Sequence, residues 1–169
     1  QSFMLVVTMP LGGISAGTGT ILAYNYGARR RDRILKAQGF IAILCVAYVT
    51  ALFLLSRLGG GLFVALFTTE PALAAEALDA IHVCTLAIIP LGIQYAIVDG
   101  FTGMGKVQVS LPLSAFRKAV YFIALFALPA AFGARATFYA EPISDILGPI
   151  VSVAVYALVI RRLLNFPPA

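Results

Sequence analysis

Tryptophan is missing from this 169-residue chain, histidine occurs once, and charged residues make up only 11% of it. Each shortage excludes something. A single imidazole, His82, reads as an interfacial hydrogen-bonding group rather than a ligand. Cys45 and Cys84 both lie inside apolar runs, so they read as buried free thiols without metal-ligand spacing. No Ser–His–Asp or Cys–His set can be assembled, so the chain is not expected to be an enzyme. Soluble domains carry about 25% charged residues, and this chain falls far below that. With no Trp, any aromatic belt at a membrane surface must come from the 7 Tyr and 12 Phe.

What is present is apolar: 61% of the residues are hydrophobic, in long unbroken runs rather than alternating ones. Such runs form transmembrane helices, because only a helix satisfies its own backbone in hydrocarbon over one segment. The fold class is therefore all-α, a polytopic transmembrane helical bundle of five spans forming a single unit over 1–169. The spans expected are 3–26, 34–56, 70–104, 107–132 and 136–164. Gly13 and Gly17 in the first make a small-xxx-small pair open to close helix approach. No Lys-Ser or Lys-Thr follows these glycines, which excludes a phosphate-binding loop. Arg57 and Gly59–Gly61 are expected to end the second span, leaving 62–67 in the interface. Thr68-Thr69-Glu70-Pro71 reads as a helix start. The tail NFPPA follows the last span. The chain starts at Gln1 with membrane-helix character already from Phe3, so its N-terminus is expected to be a cut one.

Lys and Arg set the orientation. Arg29, Arg30, Arg31, Arg33 and Lys36 fall on one side, with Lys106, Arg117, Lys118, Arg161 and Arg162; only Arg57 and Arg135 fall on the other. The ten-rich side is expected to be cytoplasmic. These cations are spread along a membrane face and not gathered into a groove, which argues against nucleic acid as a partner.

The stretch IIPLGIQYAIVDGFTGMGK, 88–106, carries the chemistry. Asp99 sits among Ala96, Ile97, Val98 and Phe101. A carboxylate there costs roughly 2.5–3.5 kcal/mol on insertion scales, which makes it a candidate site. Stepping back by helical turns from Thr102 gives Asp99, Tyr95, Gly92, Ile88 and Thr85, a polar and small stripe. It reads either as a cavity-lining face or as a helix seam with one satisfied Asp. The last helix repeats the pattern with Glu141, Asp145, Gly148, Ser152 and Tyr156. Glu141 and Asp145 stand one turn apart and repel, which favours a resident proton; equally, they are acids at a helix N-terminus stabilised by its dipole. The first helix offers Thr8, Gly12, Ser15, Gly19, Leu22 and Tyr26. Three such stripes point to a shared central cleft.

The segments PLGGISAGTGTILAYNYGARRRDRI, IIPLGIQYAIVDGFTGMGKVQVSLPLSAFRK and LPAAFGARATFYAEPISD resemble, in register, helices eight to twelve of multidrug and toxic compound extrusion (MATE) transporters. The resemblance implies an incomplete six-helix lobe of an antiporter, with the N-terminal lobe of the same polypeptide as its missing partner. It implies export of cationic or amphipathic compounds such as drugs against inward flow of H⁺ or Na⁺, across the bacterial inner (plasma) membrane. The coupling ion is then the sole cofactor, and membrane lipid and a small amphipathic substrate are the other partners. Many relatives carry Gln where this chain has Gly19. The acid on the tenth helix of some relatives corresponds to a position near Ile93 or Gln94, which adds Gln94 to Asp99, Asp145, Glu141, Tyr95 and Thr102 as coupling or cavity residues. The alternatives are a lipid-linked oligosaccharide flippase of the same superfamily, which basic cavity residues would mark, and a non-transporting membrane scaffold.

Overall fold

The computed structural model describes residues 2–66 and 68–165, with side chains from Met4 onward. Expectations on Gln1, the side chain of Phe3, Phe67 and the last four tail residues lie outside the described residues. The chain is a helical membrane bundle with no strand among the described residues. In order it forms α1 (Ser2–Gly17), α2 (Gly19–Gly27), α3 (Arg31–Ala65), α4 (Pro71–Cys84), α5 (Ile88–Gly103), α6 (Val107–Phe132), a 3₁₀ turn (Ala134–Tyr139) and α7 (Ala140–Leu163). Four helical stretches are long and apolar enough to cross a membrane, counting Met4–Gly27 as one, and the α4–α5 pair makes a fifth. Leu58, Leu62, Phe126 and Leu158 are among many large apolar side chains left on the outside. That is the surface lipid would solvate.

Three expected boundaries move. The second span does not end at Arg57: α3 runs through Gly59–Gly61 to Ala65, 35 residues in all. Each mid-helix glycine costs about 1 kcal/mol relative to Ala. An unpaired backbone group in hydrocarbon costs more, and Gly60 lets Leu78 of α4 close to within 2.8 Å of where a Cβ would stand. The third span is not one helix, because α4 and α5 meet at a 49° bend. Pro90, in the first turn of α5, has no N–H for the carbonyl of Leu86, and the Thr85 hydroxyl donates to Ile81 O at 2.7 Å. The last helix starts at Ala140, after the 3₁₀ turn, instead of at Ala136. Pro71 does open α4, but the Thr68 hydroxyl reaches only the Glu70 N–H, at 3.2 Å.

Helix α5 is the hub, packed against α1, α2, α3, α6 and α7. Its small residues explain the crowding. A Cβ on Gly103 would lie 2.8 Å from the Gly19 Cα, and one on Gly92 would lie 2.9 Å from Val49 and 3.2 Å from the Cys45 carbonyl. The small pair expected to admit a helix, Gly13 and Gly17, has nothing within 4 Å. Close approach happens instead at Gly19, just beyond that pair. The core gathers on α5 as well: Ile88, Leu91, Ala96 and Phe101 are fully buried.

Candidate functional site

The site grows from the faces that α1, α6 and α7 turn toward α5. On the α1 side the Ser15 hydroxyl donates to the Asp99 carboxylate. Ser15 is 1% exposed, so Asp99 meets a buried donor rather than bare hydrocarbon. The stripe expected on the first helix is divided between α1 and α2. Gly12 lies 3.9 Å from the Tyr95 ring by its would-be Cβ, Gly19 touches Gly103, and Leu22 is fully buried.

On the opposite side, Arg117 of α6 donates from a guanidinium nitrogen to Asp145 Oδ1 of α7 at 3.1 Å. Their side chains are 17% and 2% exposed, so the pair is largely desolvated. Ser144 donates to the same oxygen at 3.4 Å. The Arg117 guanidinium also stands 6.0 Å from the Tyr95 ring, within cation–π range. Gly148 makes room for this, since a Cβ there would fall 2.6 Å from the Gln94 amide and 3.0 Å from the Arg117 stem.

Several buried polar atoms of α5 and α7 have no hydrogen-bond partner among the described residues: both amide atoms of Gln94, Asp145 Oδ2, Glu141 Oε2 and, two turns along α7 from Asp145, Ser152 Oγ. Buried polar groups are normally satisfied, so such a concentration marks a place built for something other than packing. The space is there. A cavity of about 140 Å³ is bounded by Gln94, Tyr95, Asp99, Ser114 and Arg117. One of about 270 Å³ shares Tyr95 and Arg117 with it and adds Thr8, Lys118 and Glu141. A third, about 400 Å³ and mostly apolar, shares Met4, Tyr121 and Glu141 with the second. The three are neighbours that share lining residues along α6, with Thr137 on the apolar one and Asp99 on the smallest; together they are called the cleft.

Of the six residues proposed from sequence, Asp99, Tyr95 and Gln94 line the smallest cavity, and Glu141 lines the other two. Asp145 lies behind Arg117 and reaches the cleft through that ion pair. Thr102 stands apart: it is exposed, and its hydroxyl donates back to Val98 O at 3.0 Å. The α5 stripe therefore splits. Gly92 faces α3, and Thr85 lies beyond the bend beside Ser56, their hydroxyl oxygens 3.3 Å apart. The α7 stripe holds together, ending in Tyr156 tilted against Phe101 at 5.7 Å between ring centroids.

The residue the sequence reading misplaces is Arg117. Sequence position groups it with Lys118 among the cytoplasmic cations, but it stands about 15 Å along α6 from its first residue, Val107. A charge that far inside a span is the signal that could have found it. His82 falls outside the site, its ring 3.3 Å from Ser56 O, while Arg57 donates to the His82 carbonyl at 2.9 Å.

The MatE family model matches residues 1–128. The fold is similar to that of a MATE multidrug transporter, DinF-BH, solved as a complex, with a TM-score of 0.87 and 25% identity over 99% of this chain and 37% of that one. It is also similar to an inward-facing multidrug resistance MATE family transporter of the MOP superfamily, with a TM-score of 0.84 and 16% identity over 99% of this chain and 39% of that one. The chain thus spans less than two-fifths of the length of these solved transporters. None of the curated proteins compared matches it.

Proposed function

The chain belongs to the MatE family, and from that premise we propose that it forms the C-terminal lobe, helices eight to twelve, of a cation-coupled antiporter. The antiporter exports cationic or amphipathic compounds from the cytoplasm across the plasma membrane, driven by H⁺ or Na⁺. The observation that carries this reading is the placement of acids in the cleft. Asp99 and Glu141 line neighbouring cavities, Asp145 lies just behind them, and the 400 Å³ cavity of the series is mostly apolar. An apolar wall takes the body of an amphipathic molecule, and a carboxylate takes its cationic group or the driving ion. The similar solved structure is that of a multidrug transporter, which is consistent with such a substrate.

The test is efflux by the full-length protein in proteoliposomes, with a cationic rhodamine dye as the probe and an imposed H⁺ or Na⁺ gradient. Asp99→Asn and Asp145→Asn are each expected to abolish gradient-driven efflux while membrane insertion persists. Glu70→Gln, just before α4, and Glu76→Gln, on its exposed face, are expected to leave it unchanged. Wild-type efflux in both Asp variants would assign coupling to residues outside this lobe.

One observation favours a second reading. Arg117 and Lys118 line the 270 Å³ cavity, and basic residues of that kind suit the pyrophosphate of a lipid-linked oligosaccharide. The Arg117 charge is already met by Asp145, however, and with that pair set aside the cleft is lined by two acids, Asp99 and Glu141, against one base, Lys118. Export of cations therefore remains the preferred reading. Scrambling of a lipid pyrophosphate by vesicles that fail to move the dye would reverse the order.

A further inference from the structure

We propose that Arg117 is a tethered counter-ion shared between two carboxylates. It pairs with Asp145 in the arrangement described and transfers to Asp99 when the Asp145 charge is neutralised. The inference deepens the coupling reading and rests on it for its purpose, but not for its test.

Three elements converge to make the exchange feasible. Arg117 on α6 and Asp99 on α5 line the same 140 Å³ cavity, and Asp145 on α7 lies behind it, paired with Arg117. Only one of the five guanidinium N–H donors goes to Asp145. The unpartnered amide of Gln94, 2% exposed, lines that cavity with Asp99 and lies against Gly148 of α7, three residues on from Asp145, able to accept from a guanidinium or donate to a carboxylate during a transfer. Asp99 is held in the described arrangement by a single neutral donor, Ser15. A guanidinium brings a full opposite charge and a fork of N–H donors that can meet both carboxylate oxygens, where a hydroxyl brings one O–H, so a released guanidinium displaces the hydroxyl.

The charges facing this space make the competition obligatory. The acids are Asp99, Glu141 and Asp145, and the bases are Arg117 and Lys118, the latter exposed toward the wide cavity. Tyr95 and Tyr121 also line this space, Cys84 on α4 lines the apolar cavity, and Cys45 on α3 stands behind. No charged residue of α1 lines the cleft. Three carboxylates thus compete for one enclosed permanent cation. A proton or Na⁺ arriving at Asp145 releases Arg117, which then occupies Asp99 and excludes a second ion from it. Neutralising one acid therefore changes the occupancy of the other across the lobe.

The test is a double-mutant cycle between positions 117 and 99 in two backgrounds, read as melting temperature of the full-length protein in detergent at mildly alkaline pH. With Asp145 intact, the losses from Arg117→Gln and Asp99→Asn are expected to add. In the Asp145→Asn background they are expected to fall short of additivity by at least about 2 °C, because both remove the same new pair. Arg117→Lys is expected to retain part of that coupling. Should the Arg117 variants not fold, modification of Asp99 by a hydrophobic carbodiimide, read by mass spectrometry, needs none of them. It is expected to fall several-fold in Asp145→Asn relative to wild type, since a guanidinium-paired Asp99 is ionised and unreactive. Additive losses in both backgrounds, or unchanged Asp99 modification, would overturn the proposal whether or not the protein transports the dye.

Discussion

A carboxylate 2% exposed beside a guanidinium 17% exposed is a liability as well as a contact. Removing one member of a desolvated pair strands the other, at a cost of about 3–5 kcal/mol. Arg117→Gln is therefore expected to lower the melting temperature sharply. Arg117→Met combined with Asp145→Leu should recover most of the loss, because apolar replacement of both partners is often close to neutral. The single variants should be unequal: Asp145→Asn leaves a guanidinium with Asp99 in reach, whereas Arg117→Gln leaves Asp145 with no other enclosed cation. Equal losses would contradict this. The glycines behave just as specifically. Gly103→Ala drives a Cβ into the Gly19 backbone and should destabilise by roughly 1–3 kcal/mol, while Gly13→Ala meets nothing within 4 Å and should be neutral or slightly stabilising. Melting curves for the two variants check it. Asp99 is legible in the sequence because a carboxylate in an apolar run is conspicuous, Tyr95 and Glu141 follow from helical spacing, and Gln94 is reached only through the resemblance to relatives. Arg117 is obscured by its neighbour: next to Lys118 it looks like the edge of a basic loop, and only the packing of α6 on α7 shows where it points. Thr102 errs the other way, since helical spacing gives the face of a residue but not where its neighbours end.

Helices differ in how far their ends can be foreseen. The bounds of α6 match the expected 107–132 because Lys106 and Gly133 punctuate it on both sides. The glycine run in α3 misleads, because a propensity learned in water overstates what glycine does where no water competes for the backbone. The α4–α5 bend is hidden because Pro90 lies inside an unbroken apolar stretch, and hydropathy does not register a missing N–H. That bend carries its own prediction. Pro90→Ala restores the donor for Leu86 O and should straighten the pair from 49°. Spin labels at Glu76 and Thr102, both exposed and on opposite sides of the break, should move apart in Pro90→Ala. An unchanged distance distribution would mean that α3 and the Ser56–Thr85 contact impose the bend instead.

At the scale of the molecule, topology follows from counting cations. With Arg117 and Lys118 both assigned to the cavity wall, eight Lys and Arg remain on the side of the Arg29–Lys36 loop against Arg57 and Arg135 on the other, so the count still favours the expected orientation. In whole cells an impermeant thiol reagent should label a cysteine at position 135 and not one at position 31, in a background without Cys45 and Cys84; the reverse pattern would invert the lobe. The hub position of α5 also bears on synthesis. Ser15 leaves the ribosome long before Asp99, so that carboxylate enters the bilayer with its donor already made. Arg117 does not have this advantage, because Asp145 follows it by 28 residues. At about 5–20 residues per second the guanidinium waits roughly 1.5–6 s for its partner. Throughout that interval Asp99, already translated and lining the same cavity, is the carboxylate positioned to chaperone it into the membrane.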